Sequence, residues 1–243
     1  MPRFFIENIS NDRAFLSEED SKHARKSLRM KLGDEIELCD GKGVDYFGEI
    51  SSLDENGLEI KILSSSPSKS ENPFEICLFQ GAPKGDKMEL IIQKATELGV
   101  NSVVPFVSEF CVSRPDEKSA LKKQVRYNKI ALEASKQSRR GAIPEVKPQL
   151  SFGEMVSSLK SFDLVLFFYE NAEKSLREAL SGFSFRGKKI AILVGSEGGF
   201  SKDEVKILEE NGVSPLSLGN RILRCETAPL VAISAINFCA GEM

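Results

Sequence analysis

Histidine is almost missing from this chain of 243 residues: His23 stands alone. That excludes H-E-x-x-H metalloenzymes and multi-histidine metal sites, and any Ser-His-Asp triad would have to use this one residue. With basic neighbours on both sides, His23 reads first as a surface or domain-joint histidine, second as a phosphate contact. Cysteine is sparse and scattered. Cys39, Cys77, Cys111, Cys225 and Cys239 form no C-x-x-C pair, which argues against a disulfide framework or zinc module and suits a reducing compartment. No stretch approaches the roughly 18 apolar residues of a membrane span. The opening Met1-Pro2-Arg3-Phe4 lacks the apolar segment of a signal peptide. The expectation is a soluble, cytoplasmic protein with no membrane partner and no metal.

Familiar ligand motifs are missing too. No G-x-G-x-x-G follows a strand, so a dinucleotide site has no fingerprint, and no G-x-S-x-G elbow is present. Gly182 to Lys188 fits G-x-x-x-x-G-K by letter. Lys189 follows where a phosphate loop needs Ser or Thr, and the segment precedes a strand where it should follow one. It reads as a loop.

What is there is an ordinary globular balance, 41% hydrophobic and 28% charged, enough to bury a core in one large domain or two small ones. The net charge of −3 hides an uneven distribution. Residues 1–72 hold 10 basic and 15 acidic residues, whereas residues 73–243 hold 23 and 21. Residues 21–31 carry five basic residues and no acidic one; residues 111–149 carry ten and four. Such islands serve either as phosphate-binding faces, since local field steers a polyanion, or as solvated helix surfaces.

Residues 64–73, SSSPSKSENP, are the best linker by composition. Before it, strands are expected at Phe4–Ile6, Glu35–Leu38, Tyr46–Ile50 and Leu58–Ile62. A short helix is expected after Ser17, and turns at Asp40–Gly43 and Asp54–Gly57. This predicts a small β-barrel over residues 1–70. After it, strand-like runs at Phe74–Phe79, Ser102–Phe106, Leu164–Tyr169, Ile190–Val194 and Val213–Leu218 alternate with helices. These include Asp86–Leu98, Ser201–Asn211 and Pro229–Ala240, so residues 73–243 predict an α/β domain with a parallel sheet covered by helices on both faces.

Three segments carry candidate chemistry. In Ile190 to Ser201, a buried strand runs into Gly195, Gly198 and Gly199 and then a capped helix. The glycines let backbone approach a ligand, or simply make a tight turn. In Leu216 to Pro229, Arg221 and Arg224 stand near Glu226 and Thr227. They suit the anchoring of anionic or carbonyl groups, or merely pair with Glu226. Glu133 to Gly141 reads as the end of a long basic helix.

Together VGSEGGFS at 194–201, LGNRILRCETA at 218–228, KGDKMELIIQKATELGV at 84–100 and EASKQSRRGAIPEV at 133–146 resemble the RsmE family. These are SPOUT-class methyltransferases acting on 16S ribosomal RNA. HARKSLRMKLGDEIELCDGKG at 23–43 resembles the family's PUA-like RNA-binding domain. The resemblance spans nearly the whole chain. It implies S-adenosylmethionine as cofactor and N3 of one uridine in the small-subunit RNA, position 1498 in standard 16S numbering, as methyl acceptor. It implies a homodimer and a deep trefoil knot holding the cofactor; the assembled 30S subunit is the expected form of the substrate, with free RNA the open alternative. Where the family usually has proline, this chain has Ser196.

Carried onto matching positions, the resemblance assigns the cofactor to Phe168, Glu170, Val194, Gly195, Glu197, Gly198, Leu218, Gly219, Ile222, Leu223, Arg224 and Thr227. Uracil N3 attacks only as its proton leaves, and charge then spreads onto the flanking carbonyls. A positioned guanidinium would stabilise that charge. Arg224 is the first candidate, Arg221 the alternate, and Glu226 a base or orienter. Expected RNA contacts are Lys22, Arg25 and Arg29 in the small domain and Lys84, Arg114, Arg139 and Arg140 in the large one. The rival reading is a non-catalytic RNA-binding or ribosome-assembly protein on the same fold; a nucleotide-dependent oxidoreductase comes last.

Overall fold

Period-two alternation of apolar side chains builds the first part of the chain. In a computed structural model, which describes residues 2–6, 9–54, 57–112, 114 and 116–243, two units emerge. One comprises Met1–Glu71 with Ser135–Ile143, the other Asn72–Ala134 with Pro144–Met243.

The first unit contains β1 (Arg3–Phe5), β2 (Ile9–Ser10), β3 (Arg13–Phe15), α1 (Glu18–Lys22), a π-helical turn at His23–Ser27, β4 (Glu35–Cys39), β5 (Val44–Asp54) and β6 (Gly57–Pro67). Its six-stranded sheet runs β1-β4-β5-β6-β3-β2. Only the β1–β4 pairing is parallel. Ile36 and Leu38, then Leu58 and Ile60, point to one buried face with Phe4, Ala14 and Ile50, as alternation demands. The Ser17 hydroxyl accepts the Asp20 N–H and starts α1 as expected. The expected turn at Asp54–Gly57 centres on residues 55 and 56, outside the described residues. The serine-rich linker needs correction: Ser64, Ser65 and Ser66 belong to β6 and pair with Phe47, Tyr46 and Asp45. Their exposed side chains read as linker, but their backbone extends the ladder.

The second unit contains β7 (Glu75–Gly81), α2 (Lys87–Glu97), β8 (Ser102–Val107), α3 (Glu117–Ser138), β9 (Glu145–Val146), β10 (Leu150–Ser151), α4 (Phe152–Ser158), β11 (Leu164–Phe168), α5 (Leu176–Leu180), β12 (Lys189–Val194), α6 (Lys202–Glu210), β13 (Pro215–Leu216) and α7 (Ala228–Ala240). The last turn of α3 counts with the first unit. The sheet order is β10-β8-β7-β12-β11-β13, with β9 also on β8, and every pairing is parallel. Both faces are covered, which is why the strands are continuously apolar. Ile76, Leu78, Ile190 and Ile192 pack with α2 and α7 residues such as Ile91, Ile92, Ile233 and Ile236. Cys77, Phe79, Ala191 and Leu193 pack with Met155 of α4, Leu208 of α6 and Phe200.

Two expectations here are also corrected. The strand expected over Val213–Leu218 is only β13, because Pro215 lacks an N–H for the ladder and the Ser217 N–H turns away to the Lys174 carbonyl. The basic helix expected to run toward Gly141 stops at Ser138, and Arg139 adopts a left-handed φ of 59°. Among the described residues, no helix is long and apolar enough to cross a membrane.

Candidate active site

Parallel strands end in a row at one edge of the sheet, and ligands of open α/β sheets sit in the crevice beyond such ends. A cavity of about 680 Å3 lies there, within the range of small-molecule sites. Its walls are the segments that follow β11, β12 and β13, together with Lys87 at the start of α2.

The glycine bend after β12 is set by close backbone packing. A Cβ at Gly81, the last residue of β7, would stand 2.5 Å from the Ser196 backbone nitrogen and 2.8 Å from the Gly195 carbonyl carbon. No side chain fits between these strand ends. The Gln80 amide, fully buried, donates to the Gly195 carbonyl at 3.0 Å. Gly199 has φ 66°, and a Cβ there would meet the Glu170 carboxylate at 3.3 Å. The chain then enters α6 through a capping box in which Ser201 and Glu204 exchange hydrogen bonds. Glu204 is itself buried and accepts the Glu109 N–H at 2.8 Å, bracing the loop after β8.

The arginine bend after β13 is more open. Ile222 is 85% exposed, and Arg221 and Arg224 are exposed too. Arg224 reaches Glu226 only at 4.0 Å. The Cys225 thiol is buried and donates to Glu226 at 3.2 Å. Burial, then the bond to Glu226, push its pKa up to about 12.

Electrostatics centre on Lys87. Its ammonium lies 2.9 Å from Glu197 and 3.4 Å from Glu226. Burial alone would raise the Glu197 pKa, but bonds from Lys87 and the backbone N–H of Lys84 hold it below the usual carboxylate range. Glu226 is held low likewise: burial opposes, while its own N–H, the Cys225 thiol and Lys87 prevail. The bond to Glu197 in turn raises the Lys87 pKa.

The residues expected at the cofactor and the reacting base meet in this one cavity. Phe168, Glu170, Val194, Gly195, Glu197, Gly198, Leu218, Gly219, Arg221, Ile222, Leu223, Arg224 and Glu226 all line it. Thr227 does not; it precedes α7 at the N-cap position with an exposed side chain. Sequence reasoning missed Lys87 and Ser196 as lining residues. Lys87 stands in KGDK at 84–87, where only Lys84 was expected to act, and its partners 110 and more positions away leave no local signal.

The expected RNA contacts divide. Lys22, Arg25, Arg29, Lys84 and Arg139 are exposed. Arg140 is corrected: it is 2% exposed and locked to Glu71 at 2.6 Å, so no phosphate reaches it. The Arg114 guanidinium is committed to the carbonyls of Ser108, Glu109 and Cys111 at 3.3, 2.9 and 3.2 Å, where it clips a loop together. His23 sits edge-on to Phe4 with ring centroids 6.2 Å apart. The loop at 182–188 leads into β12, as its letter pattern without a following helix implied.

Comparison with known proteins follows the same lines. A family model described as an RNA methyltransferase domain matches residues 70–237, and one described as an RNA methyltransferase PUA domain matches residues 16–63. Ribosomal RNA small subunit methyltransferase E of Bacillus subtilis is 36% identical, over 98% of this chain and 96% of its own. The protein of the same name from Buchnera aphidicola of Schizaphis graminum is 31% identical, over 100% and 98%. Among solved structures, the Neisseria gonorrhoeae ribosomal RNA small subunit methyltransferase E bound to S-adenosyl methionine superimposes with a TM-score of 0.84. It is 31% identical and covers 98% of this chain and 97% of its own.

Proposed function

This chain belongs to the ribosomal RNA small subunit methyltransferase E family of RNA methyltransferases, and from that premise we propose that it methylates N3 of a single uridine in small-subunit ribosomal RNA. The observation that carries the reading is the single cavity that gathers both glycine-containing bends at the strand ends. The chain is an S-adenosylmethionine-dependent enzyme, and its cavity fits that cofactor. The Ser196 hydroxyl, on a residue that lines the cavity at the glycine bend, is buried without a hydrogen-bond partner. Glycine backbone offers unshielded N–H and C=O groups to a nucleoside edge. Leu218 and Leu223 supply apolar surface for its faces.

When bound, S-adenosylmethionine supplies a methyl group made electrophilic by a sulfonium. The chain's own residues must orient the acceptor base, exclude water and stabilise the charge left when N3 loses its proton. Arg224 and Arg221 are suited to the last task, for both guanidiniums are exposed at the cavity and only loosely engaged. Glu226 is a poor proton acceptor, because its carboxylate is held below the usual range. It serves as an orienter beneath Arg224.

The small unit's sheet is read as a PUA-like barrel that binds RNA through Lys22, Arg25 and Arg29, and the bends after β12 and β13 as the loops of a trefoil knot. A homodimer is supported by apolar side chains left exposed on α7 and α2, namely Val231, Phe238 and Leu90. The assembled 30S subunit is the intended substrate and the cytoplasm the site of action. Titration calorimetry with S-adenosylmethionine tests the catalytic reading against an assembly protein on the same fold. Micromolar binding supports the enzyme, and no binding would turn the argument toward the assembly protein.

A further inference from the structure

Three walls of the cavity meet at one ammonium. Lys87 belongs to the first turn of α2, Glu197 to the glycine bend and Glu226 to the arginine bend. Among the described residues, Lys87 is the side chain whose bonds join the two bends.

The bends differ in how much else holds them. The glycine bend is fixed by the Gln80 amide, by the Gly199 N–H bond to the Ser196 carbonyl at 3.0 Å, and by the α6 capping box. The arginine bend has no comparable frame. Among the described residues, Asn220, Arg221, Ile222 and Leu223 make no backbone-to-backbone hydrogen bond, and regular pairing resumes only with the Thr227 N–H on the Arg224 carbonyl. A segment with so few internal bonds opens at low cost. Leu218 and Leu223 rest on the core, but the polar link from this bend to the glycine bend is Glu226, held by Lys87.

We propose that Lys87 is a positioning residue for the methyl transfer: its ammonium fastens the arginine bend to the glycine bend at the separation the cofactor and base require. The inference rests on the reading of this cavity as the S-adenosylmethionine site. Two carboxylates gathered on one cation repel each other once the cation is removed, so its loss drives the walls apart as well as releasing them. The guanidinium of Arg224 then loses its place, since Glu226 beneath it is no longer fixed.

The test has two arms on the full chain. In the first, amide hydrogen exchange without added cofactor follows residues 217–227, read at the hydrogen-bonded N–H groups of Ser217, Gly219 and Thr227, in wild type, Lys87→Met and Lys87→Arg. Exchange there should quicken at least tenfold in Lys87→Met and stay near wild type in Lys87→Arg, with the sheet strands unchanged. Glu226→Gln, which weakens the other end of the link, should quicken the same segment. In the second, calorimetry with S-adenosylhomocysteine should show affinity at least tenfold weaker in Lys87→Met and within about threefold of wild type in Lys87→Arg. Wild-type exchange at 217–227 in Lys87→Met, or wild-type affinity, would overturn the proposal. Failure of the wild-type chain itself to bind S-adenosylhomocysteine would instead overturn the reading of the cavity, while the exchange arm still judges the tether.

Discussion

A methyl group on Gly81 would stand 2.5 Å from the backbone nitrogen of Ser196, so the end of β7 and the glycine bend touch backbone to backbone. Gly81→Ala must push that bend toward the cavity. Overpacking of this kind costs about 1–3 kcal/mol. The expected outcome is a comparable loss in urea-unfolding stability and at least tenfold weaker cofactor binding by calorimetry. Unaltered binding would mean the bend does not shape the site.

Arg140 should behave as a structural residue. Removing one partner of a buried ion pair costs about 3–5 kcal/mol, so Arg140→Met should destabilise the chain strongly. Burial alone would raise the Glu71 pKa, yet Arg140 and the Ala142 N–H hold it below the ordinary range. A carboxyl depressed in the fold stabilises above its unfolded value, about 4.3, and that contribution is lost as pH falls through the folded value. Without Arg140 burial raises the Glu71 carboxyl, so urea unfolding from pH 7 to 3 should show the gap between wild type and Arg140→Met narrowing as pH falls, starting above the ordinary carboxylate value. A gap independent of pH would contradict the pairing.

Arg224→Ala should leave the fold within about 0.5 kcal/mol, as for an exposed side chain. Single-turnover methyl transfer should fall on the order of 10²–10³-fold, the usual loss of one donor to a developing oxyanion. Arg221→Ala should fall less. Turnover intact in Arg224→Ala, with cofactor affinity also intact, would move the role to another group.

For RNA, replacing Lys22, Arg25, Arg29 or Arg139 by Gln should each flatten the dependence of log affinity on log salt by roughly 0.7, the single-strand value per phosphate. Arg114→Gln should not, because its guanidinium is spent on three carbonyls of its own loop. Filter binding across a salt series measures both. Equal slopes for every variant would remove the small-unit contact surface.

Local rules made part of this molecule readable from its sequence. Ser201 with Glu204 three residues on marks the start of α6, and alternation at Ile36, Leu38, Leu58 and Ile60 marks one sheet face. Meetings between distant residues obey no such rule. Glu197 and Lys87 lie 110 positions apart and Arg140 and Glu71 lie 69 apart, so neither the clasp nor the buried arginine shows in the local pattern. Charge runs mark where basic residues are, and Arg140 shows that they do not mark which are exposed. Composition misled at Ser64–Pro67 because pairing with β5, a tertiary contact, outweighed the loop character of serine.

The most direct test supplies unmethylated small ribosomal subunits and S-adenosylmethionine carrying a labelled methyl, then locates the label by mass spectrometry of RNA fragments. One N3-methyluridine per subunit, formed by wild type and on the order of 10²–10³-fold more slowly by Arg224→Ala, is the result this account predicts. Label on another atom or base, or none despite cofactor binding, would contradict it.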